Sequence, residues 1–340
     1  MRTHTPPKHS VWRALRKGLG LFTLILFAVI GGAALFYSTL EPAALRIGLS
    51  ALFPTALLSC LAIRPPLPRR GAMLGLCLIL GLWFCTDPAR NDRDWAKEYS
   101  QTADATLQGR VAHVTHIRNF TYRTPTDATP AYYDADFNLD TLSSVDLVTS
   151  YWAGPTIAHV FLSFGFSDGR HLAMSIETRR QERFDYSTIA GFFHHYELFY
   201  VTADERDLIG VRTDIRRENV YLYRLQLAPA TRERLLRSYL SELHGLTTHP
   251  RWYNTLTANC TTEILARSGA SSRWRLDWRV LLSGYTASLA YDIGLLDQHY
   301  PFATLQRLSL IHRPEGARPS ANYSQEIRAH LPLNNPQREQ

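Results

Sequence analysis

Acidic residues are nearly missing from the first quarter of this chain, and cysteines are nearly missing from the rest. Residues 1–86 hold one carboxylate, Glu41, against nine Lys and Arg, whereas residues 87–340 hold 28 basic and 29 acidic residues. The net charge of +7 and the pI near 9.3 therefore belong to the N-terminal quarter. The near-neutral remainder has no basic run interleaved with stacking aromatics, so nucleic acid is not an expected partner. Basic residues flanking apolar runs act instead as orientation signals in a membrane. Repeats and low-complexity tracts are also lacking, which leaves one or two ordinary folded units. Of the four cysteines, Cys60, Cys77 and Cys85 fall in the apolar quarter and only Cys260 lies beyond it.

What the first quarter does contain is three apolar stretches. Residues 18–40 carry no charge over 23 positions, enough to cross the ~30 Å hydrocarbon core as a helix. Residues 43–63 form a second candidate, with Arg46 near the start where a long side chain can snorkel to the interface. Residues 71–86 form a third, somewhat short for a span. The first is too long for a signal-peptide core, and further apolar segments follow it. Arg13, Arg16 and Lys17 precede the first stretch, and Arg64, Arg69 and Arg70 lie between second and third. With both basic segments cytoplasmic, three crossings put everything after residue 86 outside. In a Gram-negative cell this is a multi-pass inner-membrane protein with a periplasmic C-terminal domain.

Residues 87–110 read as a juxtamembrane linker with a short helix, 111–310 as the folded extracytoplasmic domain, and 311–340 as a polar tail. Arg118 to Asp140 mixes Thr, Pro, Asp and aromatics as an irregular loop would. Residues 157–166 and 171–178 are strand-like and flank Ser167-Asp168-Gly169-Arg170, a hairpin signal. Residues 196–202 and 219–227 are further strand candidates. Leu235, Leu236, Tyr239, Leu240 and Leu243 mark one face of a helix over 231–244 with Thr231 as N-cap. A second helix spans 259–268, with Glu263 in its first turn and Gly269 beyond its end. Strands and helices are segregated along the chain, so the fold class is α+β.

Outside the cytoplasm cysteines usually pair, and a lone thiol is at risk of oxidation. Cys260 in Thr-Ala-Asn-Cys-Thr-Thr-Glu-Ile opens a helix, where free N–H groups and the dipole favour a thiolate. A thiolate nucleophile needs a base in reach. His113 and His116 share a short β-like run without a third metal ligand, so neither a metal nor another cofactor is expected. His194 and His195 are adjacent and cannot share a strand face. His244 and His249 flank a helix end. His159 opens a strand with Phe161, Leu162, Phe164 and Phe166 just after the turn at Trp152–Pro155, and a strand-borne His facing a helix-borne Cys is the papain-like arrangement.

The run His159-Val-Phe-Leu-Ser-Phe-Gly-Phe, with Ser175-Ile-Glu-Thr-Arg179, Tyr196-Glu-Leu-Phe-Tyr200, Asp204-Glu-Arg-Asp207, Tyr253-Asn254 and Asn259-Cys260-Thr261-Thr262, resembles the Lnb-type periplasmic domain over roughly residues 110–290. The family's namesake is a bacterial lipoprotein N-acyltransferase. The resemblance implies a fold similar to circularly permuted papain-like (NlpC/P60-like) enzymes, with Cys260 and His159 in the nucleophile and base roles. It also implies a membrane phospholipid as acyl donor and a lipoprotein N-terminus as acceptor. One departure is that the membrane segments precede the domain here, whereas in the namesake they follow it.

A third residue should orient the imidazole. A two-residue Asp-Gly turn puts His159 on a face with Ile176 and Met174, whereas a three-residue loop puts it on a face with Glu177 and His171. Glu177 is favoured, since an acid within Met-Ser-Ile-Glu-Thr-Arg is out of place on a half-buried strand unless it holds a partner. Arg118 and Arg179 are candidate contacts for a lipid phosphate. The expected activity is acyl transfer through a Cys260 thioester. A cell-envelope cysteine amidase or peptidase and a non-enzymatic tethered binding module are the rivals.

Overall fold

The computed structural model describes residues 8–268 and 277–334; Gly269, expected just past a helix end, lies outside them. The chain divides into two compact units, one running to Ala89 and including Ser187–Tyr196, the other made of Arg90–Tyr186 and the residues from Glu197 on.

The first unit is built on α1 (Lys8–Phe36), α2 (Ala43–Ser59) and α3 (Pro66–Thr86). Three helical segments, Trp12–Phe36, Ala43–Ala62 and Pro66–Thr86, are long and apolar enough to cross a membrane. The third begins five residues before the apolar stretch does, because Pro66 is pre-set for a first helical turn. Arg69 and Arg70 thus ride on its first turns, and its length reaches 21 residues. A Cβ on Gly31 of α1 would sit 2.2 Å from Phe53 Cε1 of α2, so this glycine is what lets the two helices close up. Ser187–Tyr196 packs on the helix ends: Phe193 stacks on Tyr37 at 5.7 Å, and His194 stacks on Phe84 at 3.8 Å. His195 Nδ1 lies 2.8 Å from the Tyr37 carbonyl.

The second unit is α+β. Its strands are β1 (Asp104–Gln108), β2 (Val111–Arg118), β3 (Thr121–Tyr122), β4 (Ala128–Thr129), β5 (Tyr132–Asn138), β6 (Leu142–Tyr151), β7 (His159–Phe166), β8 (His171–Arg179), β9 (Glu197–Ala203) and β10 (Asn219–Arg224). Eight of them form one sheet in the order β1-β2-β9-β8-β7-β6-β10, with β5 also on β2, while β3 and β4 make a separate ribbon. Neighbours are antiparallel except β2 and β9, which run parallel at Arg118 and Ala203. Arg118 to Asp140, expected as an irregular loop, thus contains a seven-residue strand and a ribbon.

Both faces of the central strands are buried, and the period of two sorts their side chains. Leu147, Leu162, Met174, Tyr200 and Tyr223 enter one core; Val148, Phe161, Ala173, Phe199 and Leu222 enter the other. The first core is covered by α5 (Pro229–Thr248), with Leu235, Leu236, Tyr239, Leu240, Leu243 and Leu246 inward, and by α6 (Cys260–Ser268). Each such Leu or Phe contributes about 1.5–3 kcal/mol through burial. Helix α5 starts at Pro229 after Ala228, two residues before the expected cap at Thr231, because a proline is well suited to the first helical position. Short helices α7 (Thr286–Asp292) and α8 (Phe302–Leu308) complete that side.

The second core is closed by α4 (Glu205–Leu208) and by residues 311–334, which include α9 (Tyr323–Glu326). The segment expected as a polar tail therefore packs through its described part: Ile311, Tyr323, Ile327 and Leu331 are buried. Arg328 fastens it by pairing with Asp146 of β6 at 2.7 Å and Glu205 of α4 at 2.6 Å. Strand β6 is hard to see in the sequence for the same reason. Its buried Ser144, Asp146, Thr149 and Ser150 read as polar, yet Asp146 is balanced by Arg224 and Arg328 from elsewhere in the chain.

Candidate active site

The hairpin between β7 and β8 sets the register of the site. Phe166 N–H donates to the Arg170 carbonyl at 2.9 Å, and Gly169 N–H donates back to Phe166 at 3.0 Å. Ser167, Asp168 and Gly169 therefore make a three-residue loop, and Gly169 takes φ +86°, which its missing Cβ permits. The ladder pairs Leu162 with Met174 and Gly165 with His171. Carried to the other end of β7, that register sets Glu177 opposite His159 and on its face. His171 lies at the far end of the hairpin, its Nδ1 3.1 Å from the Gly169 carbonyl. Of the two candidates to orient the imidazole, it is Glu177 that comes near His159.

The contacts around the ring are short. His159 Nε2 lies 2.5 Å from Ser175 Oγ and 3.4 Å from Glu177 Oε1. Ser175 Oγ in turn donates to Glu177 Oε1 at 2.9 Å. With Nε2 so engaged, Nδ1 is the nitrogen left for the thiol. Arg212, in a π-helical turn over Val211–Ile215, donates to the Leu208 carbonyl at 2.7 Å and to Glu177 Oε1 at 3.3 Å. Its guanidinium also lies 5.3 Å from the centre of the Phe161 ring.

Cys260 is a free, half-buried thiol at the first position of α6. Asn259 caps the helix: its Oδ1 accepts from Thr261 N–H and Thr262 N–H, both at 2.9 Å, while Asn259 N–H donates to Thr262 Oγ1 at 2.9 Å. The preceding turn is held by Asn254, whose Oδ1 accepts from Leu256 and Thr257 N–H. Burial raises the Cys260 thiol's pKa, but hydrogen bonding to the His159 ring, that ring's charge and the Val160 backbone N–H outweigh it and bring the thiol below its ordinary value. Burial pulls His159 down, and its hydrogen bonds to Cys260 and Glu177 lift it above the usual imidazole value. Burial raises Glu177 while His159, Arg212 and Arg118 hold it well below the carboxylate range. The three shifts run in one sense, the thiol and the carboxyl lowered and the imidazole raised, which favours the charged form of each.

That Cys–His–acid group lies on a segment with a family of its own. Residues 128–284 match the Lnb N-terminal periplasmic domain family. No curated protein and no solved structure matches the chain. The Lnb-type segment includes His159, Glu177 and Cys260, together with Ser175, Arg212 and Asn259. Strands β1 and β2 and the packed C-terminal residues 311–334 fall outside it. The match to a periplasmic domain family, together with helices long and apolar enough to cross a membrane, points to a membrane-anchored chain with a periplasmic domain.

The other residues singled out in the sequence are used elsewhere in the Lnb-type domain and its flanks. Arg118 is buried and bidentate to Asp207, at 3.0 and 2.9 Å. Arg179 is buried between the Trp95 and Phe199 rings, and it donates to Asn91 Oδ1 and the Tyr99 carbonyl. Both guanidiniums are themselves buried and already paired, Arg118 with Asp207 and Arg179 with Asn91 and Tyr99. His113 pairs with Asp136 and His244 with Asp104 on the surface. A bulge between Val114 and Ile117 turns His116 to φ 55°, apart from His113. Among the described residues no three His, Cys, Asp or Glu side chains gather to hold a metal. Ser175 was visible beside Glu177 in the sequence; Arg212, 35 positions further on, had no signal of its own.

Proposed function

We propose that this protein is a periplasmic acyltransferase anchored in the inner membrane by three crossings, working through a Cys260 thioester in a permuted papain-like arrangement. The observation that carries this reading is the His159 ring held by Ser175 and Glu177, with the Cys260 thiol's pKa lowered and the imidazole's raised, inside a segment that matches the Lnb N-terminal periplasmic domain family.

In the first half-reaction the Cys260 sulfur attacks an ester carbonyl of a phospholipid. As the C–S bond forms the carbonyl oxygen becomes an oxyanion, and its collapse breaks the C–O bond. The His159 imidazolium gives its proton to the departing alkoxide, which leaves as a lysolipid hydroxyl. In the second half-reaction a lipoprotein's N-terminal amine attacks the thioester and loses a proton to His159. The C–S bond then breaks, releasing an amide and the Cys260 thiolate. Asn259 already holds the Thr261 and Thr262 N–H groups, so the first-turn donor assigned to the oxyanion is the N–H of Cys260 itself. Glu177, directly and through Ser175, keeps the ring oriented and favours its charged form.

The test is to incubate the full chain, reconstituted in phosphatidylethanolamine and phosphatidylglycerol vesicles, and digest it for mass spectrometry. A hydroxylamine-labile acyl group on Cys260 that is missing in Cys260→Ser and discharged by a lipopeptide amine supports the reading. Release of free fatty acid alone, with the lipopeptide unmodified, favours a hydrolase. No adduct under single-turnover conditions, together with cleavage of a peptide or amide bond, replaces acyl transfer with an amidase or peptidase.

A further inference from the structure

Large apolar side chains crowd the end of the second unit that carries His159. Trp152 is 54% exposed, Ile157 48%, Trp278 57% and Leu281 58%, with Leu282 beside them at 39%. Scattered exposed apolar residues are ordinary, but a contiguous group is not. These belong to two segments fastened side by side. Gly284 N–H donates to the Thr156 carbonyl at 3.0 Å, Ala158 N–H donates to Ser283 Oγ at 3.1 Å, and Tyr151 O–H donates to the Gly284 carbonyl at 2.6 Å. A Cβ on Gly284 would lie 2.1 Å from the Pro155 carbonyl oxygen, so the two backbones touch. The Trp278 ring packs on Tyr285 at 5.0 Å.

The group runs on into a cleft of about 570 Å³ whose wall includes Trp152, Tyr221, Tyr285 and Phe302 together with Arg216 and Arg217. Both arginines are exposed. Arg216 has a distant ion pair with Glu218 at 3.8 Å, and Arg217 has no carboxylate partner among the described residues. Tyr151, on the same wall, follows Ser150, the cross-strand partner of His159. An apolar collar, an aromatic cleft and two available cations thus adjoin the strand end that bears the imidazole.

We propose that this collar and cleft take up a bilayer phospholipid, with Trp152, Ile157, Trp278, Leu281 and Leu282 among the acyl chains and Arg216 and Arg217 at the headgroup phosphate. A lipid is the favoured occupant over a protein because the same chain carries three helices able to cross a membrane, which keeps a bilayer at hand. Trp beside Arg is also the composition that settles at a membrane interface, where amphipathic rings and cationic heads sit at headgroup level. This deepens the acyl-transfer reading and rests on it for the lipid's role as donor.

The experiment places p-benzoylphenylalanine at position 281, and separately at 107 on β1 at the opposite edge of the sheet, where Leu107 is 43% exposed. The full chain carries Cys260→Ala and sits in phosphatidylethanolamine/phosphatidylglycerol nanodiscs. On irradiation, position 281 should give phospholipid mass adducts at least tenfold above position 107. Arg216→Gln/Arg217→Gln should cut that yield several-fold. Equal yields at the two positions overturn the proposal, and chain-to-chain cross-links at 281 overturn it in favour of self-association. Cross-linking needs no turnover, so adducts at 281 without any acyl group on Cys260 in the unmodified chain would retain the contact and reject acyl transfer.

Discussion

Replacing Glu177 by Gln should suppress the thiolate of Cys260 although the two side chains do not touch. Glu177 Oε1 lies 3.4 Å from His159 Nε2, and the two side chains are 14% and 17% exposed. Opposite unit charges at that distance attract by about 5 kcal/mol at an effective dielectric of about 20, which sets a ceiling. The glutamine keeps a polar oxygen for Ser175, and solvent at the partly open site screens some of the field. Roughly 2 kcal/mol then remains, or about 30-fold in the population of the thiolate–imidazolium pair. Arg212 loses its anion in the same change and disfavours the imidazolium further, so the sign is secure. The assay is alkylation of Cys260 by iodoacetamide against pH, in a full chain with Cys60, Cys77 and Cys85 replaced by serine. The unmodified site should react below the pH of an ordinary thiol, because the Cys260 thiol is lowered and the His159 imidazole raised. Glu177→Gln should slow the reaction near pH 6 by roughly 10–30-fold, with little change above pH 10, where any thiol is ionised. An unchanged profile would mean that the carboxylate does not act on the ring, and the three-residue reading of the site would fail.

Four further outcomes follow, three of them from particular contacts. Asn259→Ala should cost about 0.5–2 kcal/mol of stability and slow Cys260 alkylation at neutral pH, because Thr261 and Thr262 N–H lose their acceptor; equal alkylation rates would show that the cap does not matter to the thiol. Arg328→Met leaves Asp146 and Glu205 without a shared buried cation and should cost about 3–5 kcal/mol, read as a lower thermal midpoint, with partial recovery on adding Glu205→Gln. For Glu205, burial raises the pKa but the Arg328 charge and hydrogen bonds bring it down to about 2; the stability it contributes is present above the ordinary Glu value and drains away as pH falls from about 4.5 towards 2, so the advantage of the unmodified chain over Glu205→Gln should shrink across that window. A C-terminal alkaline phosphatase fusion should be active and a cytoplasmic reporter fusion silent; the reverse would mean that Pro66–Thr86 does not cross the membrane.

Some of this architecture is legible in the sequence because its causes are local. Apolar length and flanking arginines mark the three N-terminal helices, though not their exact starts, and no tertiary contact is needed to read them. Asn259 before Cys260 announces a helix start, and the alternation from Val160 to Phe166 announces a strand with two buried faces. Proximity of His159 and Glu177 could be offered only as one of two registers. A single backbone choice at Gly169 decided between them, since a one-residue slip sends every side chain to the other face. Asp146, Arg212 and Arg328 read as surface charges because Asp and Arg are mostly exposed. Each is buried here because its counter-charge arrives from a distant part of the chain, Arg328 reaching Asp146 across 182 positions. Local pattern thus determined the three apolar N-terminal helices, the cysteine-bearing helix and strands β7 to β10. The imidazole's partner, the depressed thiol and the docking of the C-terminal segment were decided by tertiary structure, because burial and charge pairing depend on which residues fold together.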